Sequence, residues 1–237
     1  VVGCGAGARP QCNCWALKLQ EAAVSRSVAR PVLGARGHTF TCTAEEGSCR
    51  NHTQITGAQD CCSAWSPDGS QVAWLSDQSG EYQSMIGDQL GTAKARAIVL
   101  PTLGFYSQLA WSPDGRQISL EDNHLNLWVI EVSSGRASKL DGDTYATPGR
   151  SFDAAWSPDS RWIAYSKSLP SHFRAIFVRS LAEAKPVQIT DGFADANSPA
   201  FDAGGRYLYF LASTDFGLHT SWLDMSQIDR TVHRSAY

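Results

Sequence analysis

Residues 64–69 read AWSPDG, and this motif is the main indication of the fold because it recurs along the chain. WSPDG returns at 111–115 and WSPDS at 156–160, and a weaker copy, FDAGG, stands at 201–205. The opening aromatic residues lie at positions 65, 111, 156 and 201, so the repeat has a period of 45 or 46 residues. A steady period in the forties is typical of propeller blades or of helical repeats.

Local patterning favours blades over helices. In the third unit, runs rich in aromatic and β-branched residues lie at 152–156, 162–165, 175–178 and 186–189, with polar turn residues between them. Similar runs lie at 117–120, 126–130, 137–140 and 207–211. Four short strands per repeat predict an all-β protein, a β-propeller of four-stranded blades. Helical spacing is predicted only for Trp15–Val28.

Ser-Pro-Asp-Gly contains the residues that a tight turn needs. Proline presets φ at about −65°, aspartate can bond the backbone of its own turn, and glycine takes a position with positive φ. A single active site has no use for the same Ser/Asp pair in every repeat, so we predict a structural turn motif without a catalytic residue. Its members are Trp65, Pro67, Asp68, Gly69, Trp111, Pro113, Asp114, Gly115, Trp156, Pro158 and Asp159.

Composition places the chain among ordinary globular proteins. Hydrophobic residues make up 43% and charged residues 18% of the 237 residues, and the net charge is −3. Because there is no basic run, neither nucleic acid nor an anionic membrane is an expected partner. No apolar stretch approaches the roughly 18–20 residues of a membrane span, and the start lacks a signal-peptide pattern. No cofactor is predicted.

The cysteines are unevenly distributed. All seven (4, 12, 14, 42, 49, 61 and 62) lie within the first 62 residues. An odd number cannot pair fully within one chain, and neither Cys12-Asn13-Cys14 nor Cys61-Cys62 has the spacing of a zinc ribbon. We therefore favour free thiols in a divergent segment over metal or disulfide roles.

Three longer stretches carry a family resemblance. They are ARGHTFTCTAEEGSCRNHTQITG at 35–57, GRSFDAAWSPDSRWIAYSKSLPSHFRAIFVRSL at 149–181 and YLYFLASTDFGLHTSWLDMSQIDRTVHRSAY at 207–237. With the SPDG blades, which are of the PD40 type also seen in TolB, they resemble the second propeller of tricorn-type serine peptidases of the S41 class. SWLDMSQIDR at 221–230 is the most specific part, and the resemblance covers about residues 30–237.

This resemblance implies a propeller that admits peptides to an active site elsewhere in a larger cytoplasmic or periplasmic prokaryotic protein. None of the family's catalytic segments matches this sequence, so no catalytic, cofactor-binding or metal-binding residue is carried over. We predict a non-catalytic module for substrate gating or assembly, whose partners are peptides, the peptidase core or a second copy. The alternatives are a free-standing TolB-like propeller that binds proteins, and a propeller hydrolase with a metal site in its channel.

The predicted organisation is a divergent segment at 1–28 followed by blades at 29–237. A partial blade occupies about 29–60, and the marked blades occupy 61–106, 107–151, 152–196 and 197–237. The propeller that the chain resembles has more blades than this, so an incomplete or open ring is predicted. Broad apolar faces at the ends of such an arc predict association at high concentration.

Function on a propeller usually lies on loops at the strand ends. The predicted peptide or channel contacts are Arg150, Lys167, His172 and Arg174, because cationic side chains attract carboxylates; Asp153 and Asp215 are further candidates on these loops. The six histidines are expected to be exposed or hydrogen bonded, since no nucleophile elbow accompanies them.

Overall fold

The computed structural model describes residues 19–24, 30–43, 49–53, 57–146, 150–183, 185–215 and 233–237. Within these ranges every helix or strand element is a β-strand. The chain divides into two compact units: unit 1 comprises residues 1–111 and 133–135, and unit 2 comprises residues 112–132 and 136–237.

Unit 1 contains two four-stranded antiparallel sheets and one further strand. The strands are β1 (Leu19–Val24), β2 (Pro31–Ala35), β3 (His38–Thr41), β4 (Arg50–Asn51), β5 (Asp60–Trp65), β6 (Gln71–Ser76), β7 (Gln83–Asp88), β8 (Arg96–Val99) and β9 (Tyr106–Trp111). The sheets have the orders β1-β2-β3-β4 and β5-β6-β7-β8, so each strand pairs with its neighbours in the chain. Such four-stranded sheets are the blades of a propeller.

Unit 2 repeats the same arrangement. Its strands are β10 (Gln117–Asp122), β11 (Asn126–Glu131), β12 (Ala137–Gly142), β13 (Ala155–Trp156), β14 (Trp162–Ser168), β15 (Arg174–Ser180), β16 (Val187–Gln188), β17 (Asp195–Phe201), β18 (Leu208–Ser213) and β19 (Ser235–Ala236). They run in the orders β12-β11-β10, β13-β14-β15-β16 and β17-β18-β19. The prediction of an all-β protein of four-stranded blades is confirmed.

Each unit has its own hydrophobic core between sheets. In unit 1, Val32, Trp65, Val72, Trp74 and Met85 bring together side chains of both sheets. The corresponding cluster of unit 2 consists of Leu127, Val129, Leu140, Phe152, Ile163 and Tyr165. Because successive side chains of a strand point to opposite faces, the unbroken burial of residues 72–76 in β6 shows that both faces of this middle strand are covered.

The helix predicted at Trp15–Val28 is wrong over residues 19–24, which form β1. Ala22 pairs with Leu33 and Val24 with Pro31 in an antiparallel ladder. The stretch LQEAAV consists largely of good helix formers, but propensity is a weak preference that tertiary pairing overrides. The rest of the predicted helix lies outside the described residues, as do Cys4, Cys12, Cys14 and the SWLDMSQIDR segment.

The prediction of free thiols is wrong for one pair of cysteines. Cys42, just after β3, and Cys49, just before β4, form a disulfide. The β3–β4 pairing, in which Thr41 lies opposite Arg50, brings the two positions together. Cys61 and Cys62 in β5 are free.

Candidate functional site

The first three repeated turns have the same hydrogen bonds. Ser66 donates from Oγ to Oδ1 of Asp68 over 2.6 Å, and the same hydroxyl oxygen accepts the N–H of Gln71 at 2.9 Å. The Ser112/Asp114 and Ser157/Asp159 pairs repeat the 2.6 Å contact. The serine hydroxyl therefore ties the turn to the next strand, which is the contact of a structural element.

The fourth turn achieves this connection with one residue. Oδ1 of Asp202 accepts the N–H of Tyr207 at 2.7 Å, and Oδ2 accepts the N–H of Gly204 at 3.1 Å. Gly205 has a φ of +66°, which lies in the left-handed region. Gly69 and Gly115, at the same position of their turns, also lie in this region. Ser160 takes this position in the third turn with φ +60°.

The tryptophans that precede the turns reach back to the previous blade. Trp111 donates from Nε1 to the carbonyl oxygen of Ala64 at 3.2 Å within unit 1. Trp156 donates from Nε1 to Oγ of Ser119 at 3.1 Å within unit 2. These indole contacts connect neighbouring blades, so the aromatic residue and the turn act together as scaffold.

A repeated backbone feature lies three residues before each of these aromatic residues. Cys62, Gln108, Asp153 and Ser198 have φ values between +49° and +56°, although none is glycine. In β5 and β17 the strand register shifts at this point, which marks a β-bulge. No residue signature marks this feature, because the four positions hold four different residue types.

The candidate loop residues of unit 2 lie at the strand ends away from the SPDG turns. The turns connect β13 to β14 and β17 to β18. Because neighbouring strands are antiparallel, the β14–β15 loop and the segments following β12 and β16 lie at the other ends. Arg150, Asp153, Lys167, His172 and Arg174 all belong to these segments or to the strand residues beside them.

Arg150 forms the most buried ion pair of this set. Its Nε lies 3.0 Å from Oδ2 of Asp143, and the two side chains are 7% and 2% exposed. The guanidinium also stacks 4.0 Å above the centre of the Phe152 ring. Burial opposes ionisation of Asp143, but the N–H of Ser168 and the guanidinium of Arg150 outweigh it, so the pKa of Asp143 lies below its ordinary value.

Lys167 and Tyr165 of β14 share one carboxylate of β12. Nζ of Lys167 lies 2.9 Å from Oδ1 of Asp141, and the hydroxyl of Tyr165 donates to Oδ2 over 2.6 Å. Burial, and then the hydrogen bond to this carboxylate, raise the pKa of Tyr165 far above its ordinary value. Asp141 thus joins two neighbouring blades.

Asp195 of β17 holds two guanidinium groups. Arg174 binds it in a bidentate manner, with Nε at 3.0 Å from Oδ1 and Nη2 at 2.8 Å from Oδ2. Arg234 adds a third contact at 2.8 Å. The Asp195 carboxylate is fully buried while each arginine side chain is 25% exposed, so the cationic side of this group partly reaches solvent.

The other predicted loop residues make local contacts. The ring of His172, a residue with φ +63°, lies 4.6 Å from that of Tyr145. Oδ2 of Asp153 accepts the N–H of Ser198 at 3.4 Å, and Oδ2 of Asp215 accepts the N–H of His233 at 3.3 Å. We refer to Arg150, Lys167, Arg174 and Arg234 with their partners Asp141, Asp143 and Asp195 as the loop cluster.

Unit 1 contains a cleft that the sequence did not indicate. It has a volume of about 450 Å³, and its walls include His52, Asp60, Trp74 and Met85. Nε2 of His52 lies 3.0 Å from the hydroxyl of Thr41, and burial lowers the pKa of this imidazole. Burial raises the pKa of Asp60, although the hydroxyls of Thr53 and Ser76 oppose the shift.

Among the residues that the structure describes, no three His, Cys, Asp or Glu side chains come together in a way that could hold a metal ion. No helix there is long and apolar enough to cross a membrane.

Repeated four-stranded antiparallel sheets joined by a common turn define a β-propeller protein. The family described as the Tricorn protease second beta propeller domain matches residues 19–224. The chain belongs to this family.

Relatives and solved structures agree with this family. A Tricorn protease homolog of Saccharolobus solfataricus is 37% identical over 102 residues, which are 43% of this chain and 9% of that protein. Tricorn protease homolog 1 of Streptomyces coelicolor is 28% identical over 158 residues, 63% of this chain and 14% of that protein. The chain therefore spans a small part of the length of these relatives.

Two solved structures share the fold. The crystal structure of the tricorn protease gives a TM-score of 0.72 at 18% identity, covering 82% of this chain and 19% of that one. A TolB structure from Agrobacterium tumefaciens gives 0.60 at 18% identity, covering 82% of this chain and 69% of that one. At these identities the likeness is one of fold.

Proposed function

We propose that this chain is a non-catalytic part of a tricorn-like peptidase that guides peptides by their carboxylates. The observation that carries the proposal is the loop cluster, which gathers four cationic side chains at one set of strand ends in a peptidase-family propeller. Three carboxylates hold these cations in place, so the cluster is pre-organised.

Partial exposure leaves the loop cluster with binding capacity. Arg174 and Arg234 share the buried Asp195 carboxylate, yet each arginine side chain is 25% exposed, and the side chain of Lys167 is 24% exposed. Guanidinium groups bind carboxylates through paired, charge-assisted hydrogen bonds, so a peptide carboxylate suits the exposed parts of these arginines.

The test compares charge-neutralising variants that leave each carboxylate with another partner. Lys167→Gln leaves Tyr165 on Asp141, and Arg234→Gln leaves Arg174 on Asp195. Each variant is expected to weaken binding of a fluorescein-labelled acidic peptide by about threefold to tenfold, measured by fluorescence anisotropy. Arg161→Gln is the matched control, because Arg161 is 78% exposed at a turn of the same unit.

An unchanged affinity in Lys167→Gln and Arg234→Gln, or an equal loss in Arg161→Gln, would contradict the guiding role. In the longer protein, the same two substitutions should raise KM for acidic peptides and leave kcat unchanged, because they remove binding common to the ground and transition states. The alternative, a free-standing TolB-like propeller that binds proteins, predicts instead no peptidase activity on the polypeptide that contains this chain.

A further inference from the structure

Cys61 and Cys62 are adjacent free cysteines in β5 of unit 1, and both are half-buried. In a regular strand successive side chains point to opposite faces, so neighbouring thiols lie apart. Here the register shifts between Cys61 and Ala64, and Cys62 has φ +56°. The bulge interrupts the regular alternation of side chains at this point, and the two thiols act on each other's ionisation through a side-chain hydrogen bond.

The surroundings make the two sulfurs unequal. The thiol of Cys61 donates to Cys62 and is desolvated, which raises the pKa of Cys61. The same hydrogen bond, helped by the backbone N–H of Gln108, lowers the pKa of Cys62 despite its burial. Cys62 is therefore the more nucleophilic sulfur, since the thiolate is the reactive form.

Geometry disfavours a disulfide within this pair. Adjacent residues joined by a trans peptide have Cα atoms about 3.8 Å apart, whereas disulfides usually join Cα atoms about 4.4–6.8 Å apart. A single atom placed between the two sulfurs enlarges the ring and relieves this constraint. The two thiols are thus better suited to binding one bridging atom than to forming a disulfide with each other.

The number of available ligands selects the bridging atom. Structural zinc takes four protein ligands, and no three His, Cys, Asp or Glu side chains of the described part form a metal-binding group. Soft sulfur ligands select soft, thiophilic atoms, and a monosubstituted trivalent arsenical needs only two thiols.

We propose that Cys61 and Cys62 form a dithiol site that chelates trivalent arsenicals. An arsenic(III) oxide R–As=O reacts with both thiols: two As–S bonds form, the As–O bonds break, and the oxygen leaves as water with the two thiol protons. Arsenic and sulfur keep their oxidation states, so no oxidant or reductant is required.

The test treats the native, disulfide-intact protein with one equivalent of phenylarsine oxide and then challenges the adduct for seconds with excess 2-mercaptoethanol. The challenge is brief because uncatalysed thiol–disulfide exchange takes minutes to hours, so the Cys42–Cys49 disulfide stays closed. Intact mass and peptide mapping should place one phenylarsenic bridge on the wild-type peptide that contains residues 61 and 62. Cys61→Ser and Cys62→Ser should each weaken retention at least about a hundredfold, because the second As–S bond forms intramolecularly. Cys14→Ser is the matched control and should retain the adduct, which excess 2,3-dimercaptopropanol should remove.

Several outcomes overturn the site. They are a wild-type adduct that maps to other cysteines, full exchange of the arsenical by the monothiol, and equal retention in either serine variant. Formation of a disulfide between Cys61 and Cys62 under mild peroxide would overturn the preference for bridging. Mapping on the wild-type protein makes the result independent of whether a variant folds.

Discussion

At the residue scale, Ser160 shows that the turn motif depends on backbone conformation more than on residue identity. It holds the left-handed position that glycine holds in the other turns. Its Oγ accepts the N–H of Asp114 at 3.0 Å, and this contact within unit 2 compensates for the strain of a Cβ at positive φ.

We expect Ser160→Gly to change the free energy of unfolding by less than about 0.5 kcal/mol, because relief of strain offsets the lost hydrogen bond. Ser160→Ala keeps the strain and leaves the N–H of Asp114 unpaired, so it should cost about 1–2 kcal/mol. Urea denaturation of the two variants measures the difference. Equal destabilisation by both would show that the serine makes no compensating contact.

We expect the ionisation of Asp195 to determine part of the dependence of the free energy of unfolding on acidic pH. Burial opposes its ionisation, but hydrogen bonds from Arg174 and Arg234 outweigh burial and hold its pKa below the ordinary value. A depressed pKa stabilises the fold fully above the unfolded value of about 3.9, and this contribution is lost as the pH falls through the folded pKa. Asp195→Asn should therefore cost about 3–5 kcal/mol at neutral pH and flatten the acid dependence of urea denaturation.

Glu121 is the matched comparison, because burial raises its pKa. Its protonation favours the folded state, so its contribution to stability grows as the pH falls. Glu121→Gln should then cost less at neutral pH than Asp195→Asn. A steeper loss of stability with acid in Asp195→Asn than in the wild type would contradict the assignment.

Sequence reasoning singled out three cationic residues of the loop cluster, but neither Arg234 nor the carboxylate partners. Arg150, Lys167 and Arg174 stand near strand ends, where loops are readable from turn residues. Which carboxylate each one binds depends on blade packing: Lys167 and Asp141 are 26 positions apart. The bulge at Cys62 and its counterparts had no residue signature either, since strand pairing and not glycine determines it.

At the element scale, the β3–β4 hairpin depends on a covalent closure. β4 has only two residues, which provide few ladder hydrogen bonds. The Cys42–Cys49 disulfide joins residues seven positions apart, so it closes a short loop in the unfolded chain. The odd number of cysteines did not predict this disulfide. The pairing of β3 with β4 places the two residues side by side.

Removing this disulfide by Cys42→Ser with Cys49→Ser should lower the free energy of unfolding by about 2 kcal/mol, the loop-entropy value for so short a span. Thermal unfolding followed by circular dichroism measures the loss. Reductant should reproduce it in the wild type and have no further effect in the double variant. Equal stability of the two proteins in oxidising buffer would contradict the expected role.

At the scale of the whole molecule, the last sheet of unit 2 has one covered and one open face. Leu208 and Phe210 pack against the cluster of Ile176, Ala196 and Ala212. The alternate residues Tyr207, Tyr209 and Leu211 are 60%, 51% and 37% exposed. The predicted association at high concentration follows from such an apolar face.

Tyr209→Arg should weaken self-association by about tenfold, since it places a charge at the centre of this face. Sedimentation velocity over a range of protein concentrations measures the effect. Phe193→Arg is the control, because Phe193 is 83% exposed on a loop. A wild-type chain that stays monomeric throughout, or an equal effect of the control, would contradict the prediction.

The period of the aromatic residues predicted the blades, because strand, turn and packing contact recur together in each copy. It did not reveal β1, because the sequence between β1 and β2 lacks the SPDG motif. The residues of β1 are good helix formers, so the sequence did not indicate a strand there. Its antiparallel pairing with β2 identifies it.

The Asp202 turn has a consequence for how blades are recognised in other sequences. One carboxylate there accepts the N–H of Tyr207, whose counterpart a serine hydroxyl accepts in the other copies, and also accepts the N–H of Gly204. Such a loop needs acceptor atoms at fixed places, and different residue types can supply them. Searches that score the letters SPDG will therefore undercount blades, whereas a profile weighted on acceptor geometry should find the degenerate copies.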